Sequence, residues 1–396
     1  MAKSVAVGCF GKNTGRPVEM KILHITPSYK PAYIYGGPTR SISELCEALV
    51  RENISVDVFT TTANGKLELN IPSSEKIMVD GVGVTYFSRQ TKDHTHFSIG
   101  LLLKVFLQCR KYDAVHIHSW WNLVTIFSVL ICRLRGVTPV LSPRGMLSPF
   151  TFSKSSARIY FHKWMGRFLV SRTVLHLTSN MEKMECLKIV SPVTTVVLPN
   201  FVKVGEIQNR IIKKNPLKSF VFLSRIHEKK GLELTFKTLS KLTIPWELKI
   251  IGDGDQAYIA DLKKLSESLN IQSNILWLGT ISGSDKFEYL KNADYFILLS
   301  QNENFANVVV ESLSVGTPVI ISDQVGLNDY VLENNFGWVL PLNEELIEHN
   351  FNSVLSDDEK IEFVATHAPS KIRNDFYSIQ LAKSYINFYS DMKKND

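Results

Sequence analysis

The chain lacks any run of about 18 uninterrupted apolar residues, the length a membrane-spanning helix needs. The longest apolar stretches, Ile99–Leu107 (broken by Lys104) and Leu123–Cys132, are shorter and read as buried helices. Cysteine is scarce: five residues, odd in number and with no CxxC pair. That excludes a disulfide framework and points to a reducing compartment. No Asp-x-Asp pair follows a strand, and the sequence shows no His/Cys cluster, so no metal site is expected. No basic segment followed by an apolar core opens the chain, so no secretory signal is expected. Internal repeats, heptads and low-complexity tracts are missing too.

What is present is an ordinary globular composition, with 44% hydrophobic and 21% charged residues over 396 positions. That length suggests two domains. The charge is uneven. Residues 1–200 carry 24 Lys and Arg against 12 Asp and Glu, whereas residues 201–396 carry 21 against 26. Two halves of opposite sign suggest different partners. A basic half suits nucleic acid, an anionic membrane or a phosphorylated substrate, or is only solvated surface. No nucleic-acid recognition motif supports the first of these.

Short apolar runs alternate with helical patterns. Lys21–Thr26, Ser55–Thr60, Ala114–His118, Val137–Ser142 and Val174–Leu177 read as strands of a parallel sheet with helices between them. The second half repeats the design in Phe220–Leu223, Glu247–Ile251, Ile275–Leu278, Tyr295–Leu299 and Pro318–Ile321. The expected architecture is α/β, two Rossmann-like domains facing each other across a cleft. We expect a loose extension over residues 1–19, a first domain over 20–199, a second over 200–375, and a terminal helix over 376–396 that returns to the first domain. Ligands of such sheets bind at the carboxyl ends of the strands, so the strand-end loops carry the functional signal.

The most informative loop is Ser300–Gly316. Glu303 and Glu311 are eight residues apart. A helix is expected to begin at or beside Asn304, which puts the N–H groups of Phe305, Ala306 and Asn307 at its N-terminus, a ready phosphate site. Glu311 lies among Val308, Val309, Val310 and Leu313; it is either on an exposed stripe or a buried carboxylate that needs a partner such as a ribose diol. Glu303 is either a plain loop charge or a group facing the cleft. Earlier, Arg225 and Lys230 sit five apart on a loop after a strand, either solvated or clamping a diphosphate, with Lys229 as the rival lysine. Gly252-Asp253-Gly254 and Leu278-Gly279 end two further strands. In the first half, Gly36-Gly37 opens a helix after the first strand, where backbone N–H groups approach a ligand closely or the chain simply turns. Tyr33 and Tyr35 beside it offer faces for a sugar. Leu141–Leu147 contains Arg144, and His116 and His118 share one strand face, of which His118 nears the cleft unless it is a structural core histidine. Lys154–Arg172 interleaves basic and apolar residues, as a lipid-surface helix or a core helix with a basic face.

Taken together and in order over about Met20–Tyr389, these segments resemble the family 4 retaining glycosyltransferases of GT-B fold, of the bacterial surface-polysaccharide type. Glu303-Asn304-Phe305-Ala306 to Glu311 is similar to the E-x7-E motif, with Ala306 where glycine is usual. Ser224-Arg225 to Lys230-Gly231 resembles G-R-x-x-x-x-K-G, and Leu198-Pro199-Asn200 resembles the P-N-G hinge with Phe201 in place of Gly. Ser142-Pro143-Arg144-Gly145-Met146-Leu147 resembles S-P-H-G-M-L, with Arg144 for His. An arginine cannot shuttle a proton near neutral pH, but it holds a phosphate or a sugar hydroxyl.

The resemblance implies a transferase that moves a hexose or N-acetylhexosamine from a nucleoside-diphosphate sugar to a glycan hydroxyl, lipid-linked, with retention, and without a metal or other cofactor. It implies Glu303, Arg225 and Lys230 as catalytic. It implies Gly36, Gly37, His118, Arg144, Gly252, Gly254, Leu278, Phe305, Ala306, Asn307 and Glu311 as substrate-binding. The expected place of work is cytoplasmic, at the inner membrane face. An epimerase or phosphorylase on the same fold, or a binding scaffold without activity, are the alternatives.

Overall fold

The structure, a computed structural model, describes residues 20–153, 156–190, 194–206, 210, 216–281 and 283–395. The expected extension over 1–19, and Lys154 of the basic segment, lie outside the described residues. The first half contains β1 (Lys21–Ile25), β2 (Ser55–Thr61), a small hairpin β3 (Ala63–Asn64) and β4 (Leu67–Glu68), β5 (Lys76–Val79), β6 (Val82–Phe87), β7 (Ala114–His118), β8 (Val140–Ser142), β9 (Val174–Leu177) and β10 (Thr194–Val197). Apart from the hairpin they form one sheet in the order β10-β9-β8-β7-β1-β2-β6-β5. All neighbours in it pair parallel except β5 with β6. The second half contains β11 (Lys218–Leu223), β12 (Trp246–Ile251), β13 (Ile275–Gly279), β14 (Tyr295–Leu298), β15 (Val319–Ser322) and β16 (Gly337–Leu340), an all-parallel sheet in the order β13-β12-β11-β14-β15-β16.

In both sheets the first strand is central and the order reverses beside it. That is the doubly wound, Rossmann-like pattern expected from the alternating runs. Helices cover both faces, so central strands are buried on both sides and read as nearly continuous apolar runs. Leu248, Ile250 and Ile251 of β12 and all of Tyr295–Leu298 in β14 are buried. The helix Gly37–Arg51 shows the complementary logic: Pro38 occupies its first turn, and Ile42, Leu45, Cys46 and Leu49 form its buried stripe.

The chain passes between the two cores within one peptide bond. Phe201 is buried in the first domain's core, beside Tyr385, and Val202 in the second's. On the way back, Phe376 ends the long helix Asp358–Phe376 inside the second core. Leu381, Ala382, Tyr385 and Tyr389 of the final helix, Ile379–Asn395, then pack into the first. The Val202 N–H donates to the Phe376 carbonyl at 3.2 Å, so the two crossings are paired.

Candidate active site

Two loops of the second domain are sewn together at the carboxyl ends of β11 and β14. The Lys229 carbonyl accepts from the Gln301 N–H and from Ser300 Oγ, each at 2.8 Å. This brings the amine of Lys230 onto the carboxylate of Glu303, an ion pair with both side chains largely buried. Lys229 is half-buried, and burial pulls its amine below the usual lysine range against the attraction of Glu303. Of the two lysines, Lys230 makes the contact. Arg225 is exposed on the same loop and forms no ion pair with a described residue. The Glu303 segment is clamped from behind: its N–H donates to the Gln324 carbonyl at 3.0 Å, and the Gly326 N–H donates to its carbonyl at 2.7 Å.

The structure corrects the start of the helix after Glu303. It begins at Asn307, because Ala306 adopts φ 66° and caps it in the left-handed region. Glycine suits that conformation, and an alanine there costs roughly 1 kcal/mol. Phe305 therefore precedes the helix, and its ring is buried against Phe376 at 5.8 Å rather than turned to the cleft. Glu311 is 6% exposed and bonds Lys286 Nζ at 2.7 Å. Lys286 comes from the neighbouring helix Asp285–Asn292 and has no pattern in the sequence to single it out.

Gly252 and Gly254 are packing glycines. A Cβ on Gly252 would lie 1.9 Å from the Ser224 carbonyl oxygen, and one on Gly254 2.0 Å from that of Ile226. The turn thus presses on the loop that carries Arg225. Leu278 is half-buried at the end of β13, beside Gly279, whose carbonyl accepts from the Gly252 N–H at 2.8 Å.

Across the cleft, Gly36 takes φ 71° and precedes the helix Gly37–Arg51; the position of its missing Cβ is open space. The Asn307 side-chain nitrogen sits 3.6 Å from where a Gly37 Cβ would be. The N-terminal turns of the helices Gly37–Arg51 and Asn307–Ser314 therefore face one another, and their partial positive charges converge. Three further contacts hold the domains together here: Asn200 Nδ2 donates to Asn307 Oδ1 at 3.2 Å, Asn304 Nδ2 to Thr178 Oγ1 at 2.9 Å, and Ser179 Oγ to the Asn304 carbonyl at 3.1 Å. Tyr33, Ile34 and Leu67 stand exposed at the lip next to Gly36.

Arg144 is reached from the carboxyl end of β8. Its Nη1 donates to Ser41 Oγ and to Asn200 Oδ1, both at 3.0 Å. Its Nη2 lies 3.3 Å from His118 Nδ1. His118 is wholly buried behind Arg144, which corrects its expected place on the cleft surface. It belongs to a group that reading by motif misses. One ring nitrogen from each of His24, His116 and His118 lies within 4.8 Å of the others, so a histidine cluster is present after all. His24 and His116 are register partners on β1 and β7, a signal legible only once the strand order is known. Burial drives all three imidazoles far toward the neutral form, His24 to about 3, aided by the Arg144 charge at His24 and His118 and by the neighbouring histidines at His116. Most ring nitrogens of this cluster are spent on internal hydrogen bonds: His116 on Tyr389 at 2.7 Å and Ser142 at 2.6 Å, His118 on His24 at 2.9 Å.

Residues 204–369 match the family model described as glycosyl transferases group 1, and residues 35–206 match that of glycosyltransferase family 4. An α-monoglucosyldiacylglycerol synthase of Streptococcus pneumoniae is 24% identical, over 95% of this chain and 89% of its own length. A UDP-Gal:α-D-GlcNAc-diphosphoundecaprenol α-1,3-galactosyltransferase of Escherichia coli is 29% identical, over 73% and 78%. Among solved structures, sucrose-phosphate synthase of Thermosynechococcus elongatus superposes with a TM-score of 0.74 at 16% identity, covering 96% of this chain and all of the other. HepE of Anabaena, solved with UDP and glucose, superposes at 0.70 and 18%, covering 94% of this chain and all of the other. Fold and cleft define a GT-B glycosyltransferase. With its two halves matched in turn by the two models, the chain belongs to the group 1, family 4 glycosyltransferases.

Proposed function

We propose that the enzyme transfers a hexose or N-acetylhexosamine from a nucleoside-diphosphate sugar to a hydroxyl of a lipid-linked glycan, with retention and without a metal. The observation that carries this reading is the Lys230–Glu303 ion pair just ahead of the helix that starts at Asn307, whose side chain lies against the Gly36-Gly37 turn. The departing diphosphate is held by Arg225 and Lys230 and by both helix termini. That stabilises charge developing in the transition state. Glu303 steers the Lys230 amine through their ion pair and positions the donor sugar when the diphosphate takes over the lysine. The acceptor hydroxyl attacks from the face the diphosphate leaves, and the leaving phosphate takes its proton. Glu311 exchanges Lys286 for the ribose hydroxyls. Retention rests on the E-x7-E resemblance.

The lipid-linked acceptor is supported by the activities for which the Streptococcus and Escherichia coli relatives are named and by the first domain's surface. Among the described residues, no helix is long and apolar enough to cross a membrane. Yet Leu103, Leu107, Leu134, Tyr160, Trp164 and Phe168 are exposed, and Arg133 and Arg135 lie over the rings of Phe168 and Phe106 at 3.3 and 4.7 Å. Exposed apolar groups among guanidinium groups suit peripheral contact with anionic lipid at the inner membrane face. The test is product analysis with UDP-, GDP- and ADP-sugars and a polyprenyl-diphosphate-linked glycan, reading the product's anomeric configuration by NMR. An inverted linkage removes retention. Free sugar or an epimer formed without acceptor, and no transfer with it, overturns the transferase reading in favour of the other enzyme classes.

A further inference from the structure

Arg144 is a half-buried cation whose hydrogen-bond partners are all neutral. Lys30 meets Glu47 and Asp80, Arg89 meets Glu68, and Lys230 meets Glu303. Among the described residues, Arg144 bonds only a hydroxyl, a carboxamide oxygen and an imidazole. The carboxylate that faces its loop, Glu182, is already spent: Oε1 accepts from the Gly145 N–H at 2.7 Å, and Oε2 from the Thr178 N–H at 2.7 Å and its hydroxyl at 2.9 Å.

The donors can be counted. A guanidinium has five N–H groups and no acceptor. Nη1 uses two and Nη2 one, while Nε is enclosed and bonds nothing. One Nη2 proton and the Nε proton, on adjacent nitrogens, remain. Because Arg144 can only donate, His118 Nδ1 must accept. His118 Nε2 then carries the proton and donates to His24 Nδ1 at 2.9 Å. The neutral His24 keeps its proton on Nε2, which is buried without a partner. A second chain beside it is equally directional. His176 Nε2 donates to the Leu198 carbonyl at 2.9 Å, so its Nδ1 accepts from Ser142, Ser142 accepts from His116 Nε2, and His116 Nδ1 accepts from Tyr389. The groups hydrogen-bonded to Arg144 thus carry no negative charge; Glu182 attracts it from behind its loop without bonding it. The cluster lies where Ser41, in the helix that opens at Gly37, meets Asn200, which bonds Asn307 across the cleft.

We infer that Arg144 receives an anionic group, a phosphate or a carboxylate, carried by the donor sugar or by the acceptor, and that His118 and His24 are positioning residues which hold its guanidinium for that contact. The inference rests on reading the cleft as the donor–acceptor site. A phosphate or carboxylate supplies a directly bonded countercharge and lone pairs for the remaining Nη2 proton, and for the enclosed Nε–H once the guanidinium turns toward it. A neutral hydroxyl supplies no charge. The imidazole pair suits the holding role because it accepts from the guanidinium without competing for the anion.

The test titrates inorganic phosphate by calorimetry onto the full chain saturated with whichever of UDP, GDP or ADP binds. Wild type should take one phosphate. Arg144→Gln should weaken it by about tenfold or more while nucleotide affinity stays within about twofold, which also shows that the variant is folded. Equal phosphate affinity in both, or none in wild type, overturns the inference. If no nucleotide binds, the donor-site reading fails separately, and phosphate titrated onto the free enzyme still decides for or against Arg144. The source is read with the matching nucleoside-diphospho-glucose and -glucuronate. A glucuronate advantage that vanishes in Arg144→Gln assigns the anion to the donor. Phosphate binding beside the bound glucose form, with no such advantage, assigns it to the acceptor. His118→Asn keeps an acceptor near Nδ1 and should retain phosphate affinity, whereas His118→Phe should lose it as Arg144→Gln does. Unchanged affinity in His118→Phe refutes the positioning role.

Discussion

Asn200 donates its carboxamide proton to Asn307 across the cleft, and its oxygen accepts from Arg144. One side chain on the segment that links the domains therefore touches the N-terminal turn of one helix and the cation of the opposite wall. The arrangement of the cleft and the path of the chain between domains are coupled at this residue. Asn200→Ala should lower kcat/KM by about tenfold, ~1.4 kcal/mol of lost transition-state stabilisation, with nucleotide affinity nearly unchanged. Steady-state kinetics beside a nucleotide titration check it. An unchanged kcat/KM uncouples the contact from catalysis.

Lys230 and Glu303 should not behave as independent residues. Lys230→Ala removes a diphosphate contact and leaves a largely buried carboxylate without its partner. We expect kcat to fall by roughly 10²–10³-fold and the melting temperature to drop. The double variant Lys230→Ala/Glu303→Ala should recover part of that stability and none of the activity. Additive losses of stability in a double-mutant cycle contradict the pairing.

The glycines divide by mechanism. Gly252→Ala puts a Cβ 1.9 Å from a backbone oxygen, so the loop of Arg225 must move; a loss of about 3 kcal/mol or more is expected. Gly36→Ala meets no atom, but its φ of 71° costs an alanine roughly 1–2 kcal/mol. Its larger effect should fall on donor affinity, because the methyl group enters the ligand's space. Denaturant melts and nucleotide titrations on both variants separate the two cases.

Acid should destabilise the first domain early. Burial holds His24 and His176 each at about 3 and keeps His116 and His118 well below the usual histidine range. A histidine with a depressed folded pKa binds fewer protons folded than unfolded, so stability rises with pH between the two values. The stabilisation is complete above about pH 6.5 and is lost as the pH falls toward 3, at about 1.4 kcal/mol per pH unit for each such histidine. Melting temperature measured from pH 8 to pH 5 should hold steady and then drop steeply below pH 6.5. A flat curve refutes the neutral buried cluster.

The double Rossmann-like architecture was readable because buried parallel strands leave apolar runs that alternate with helical stripes. Strand β8 starts three residues later than Val137, and β5, β6, β10 and β16 are absent from the sequence-based strands. The turn between β5 and β6 is nevertheless marked by Asp80-Gly81, both at positive φ. At the site, Glu303 and Lys230 could be named from their motifs, but that Lys230 rather than Lys229 makes the contact depends on the fold of the short turn Glu228–Lys230. The start of the helix at Asn307 escaped pattern reading because Ala306 takes a conformation that alanine rarely adopts. Lys286 and the histidine cluster were illegible for a different reason. Their partners are brought close by strand order and helix packing, and spacing along the chain carries no trace of either.

The central claim is that Glu311 reaches the donor's ribose once the Lys286 contact opens. Calorimetric titration of UDP, GDP and ADP, with chelator present, onto wild type and Glu311→Ala tests it most directly. We predict that one nucleotide binds wild type and loses about tenfold or more in affinity in the variant. Equal affinity in both proteins, or no binding of any of the three, contradicts the placement of the donor site.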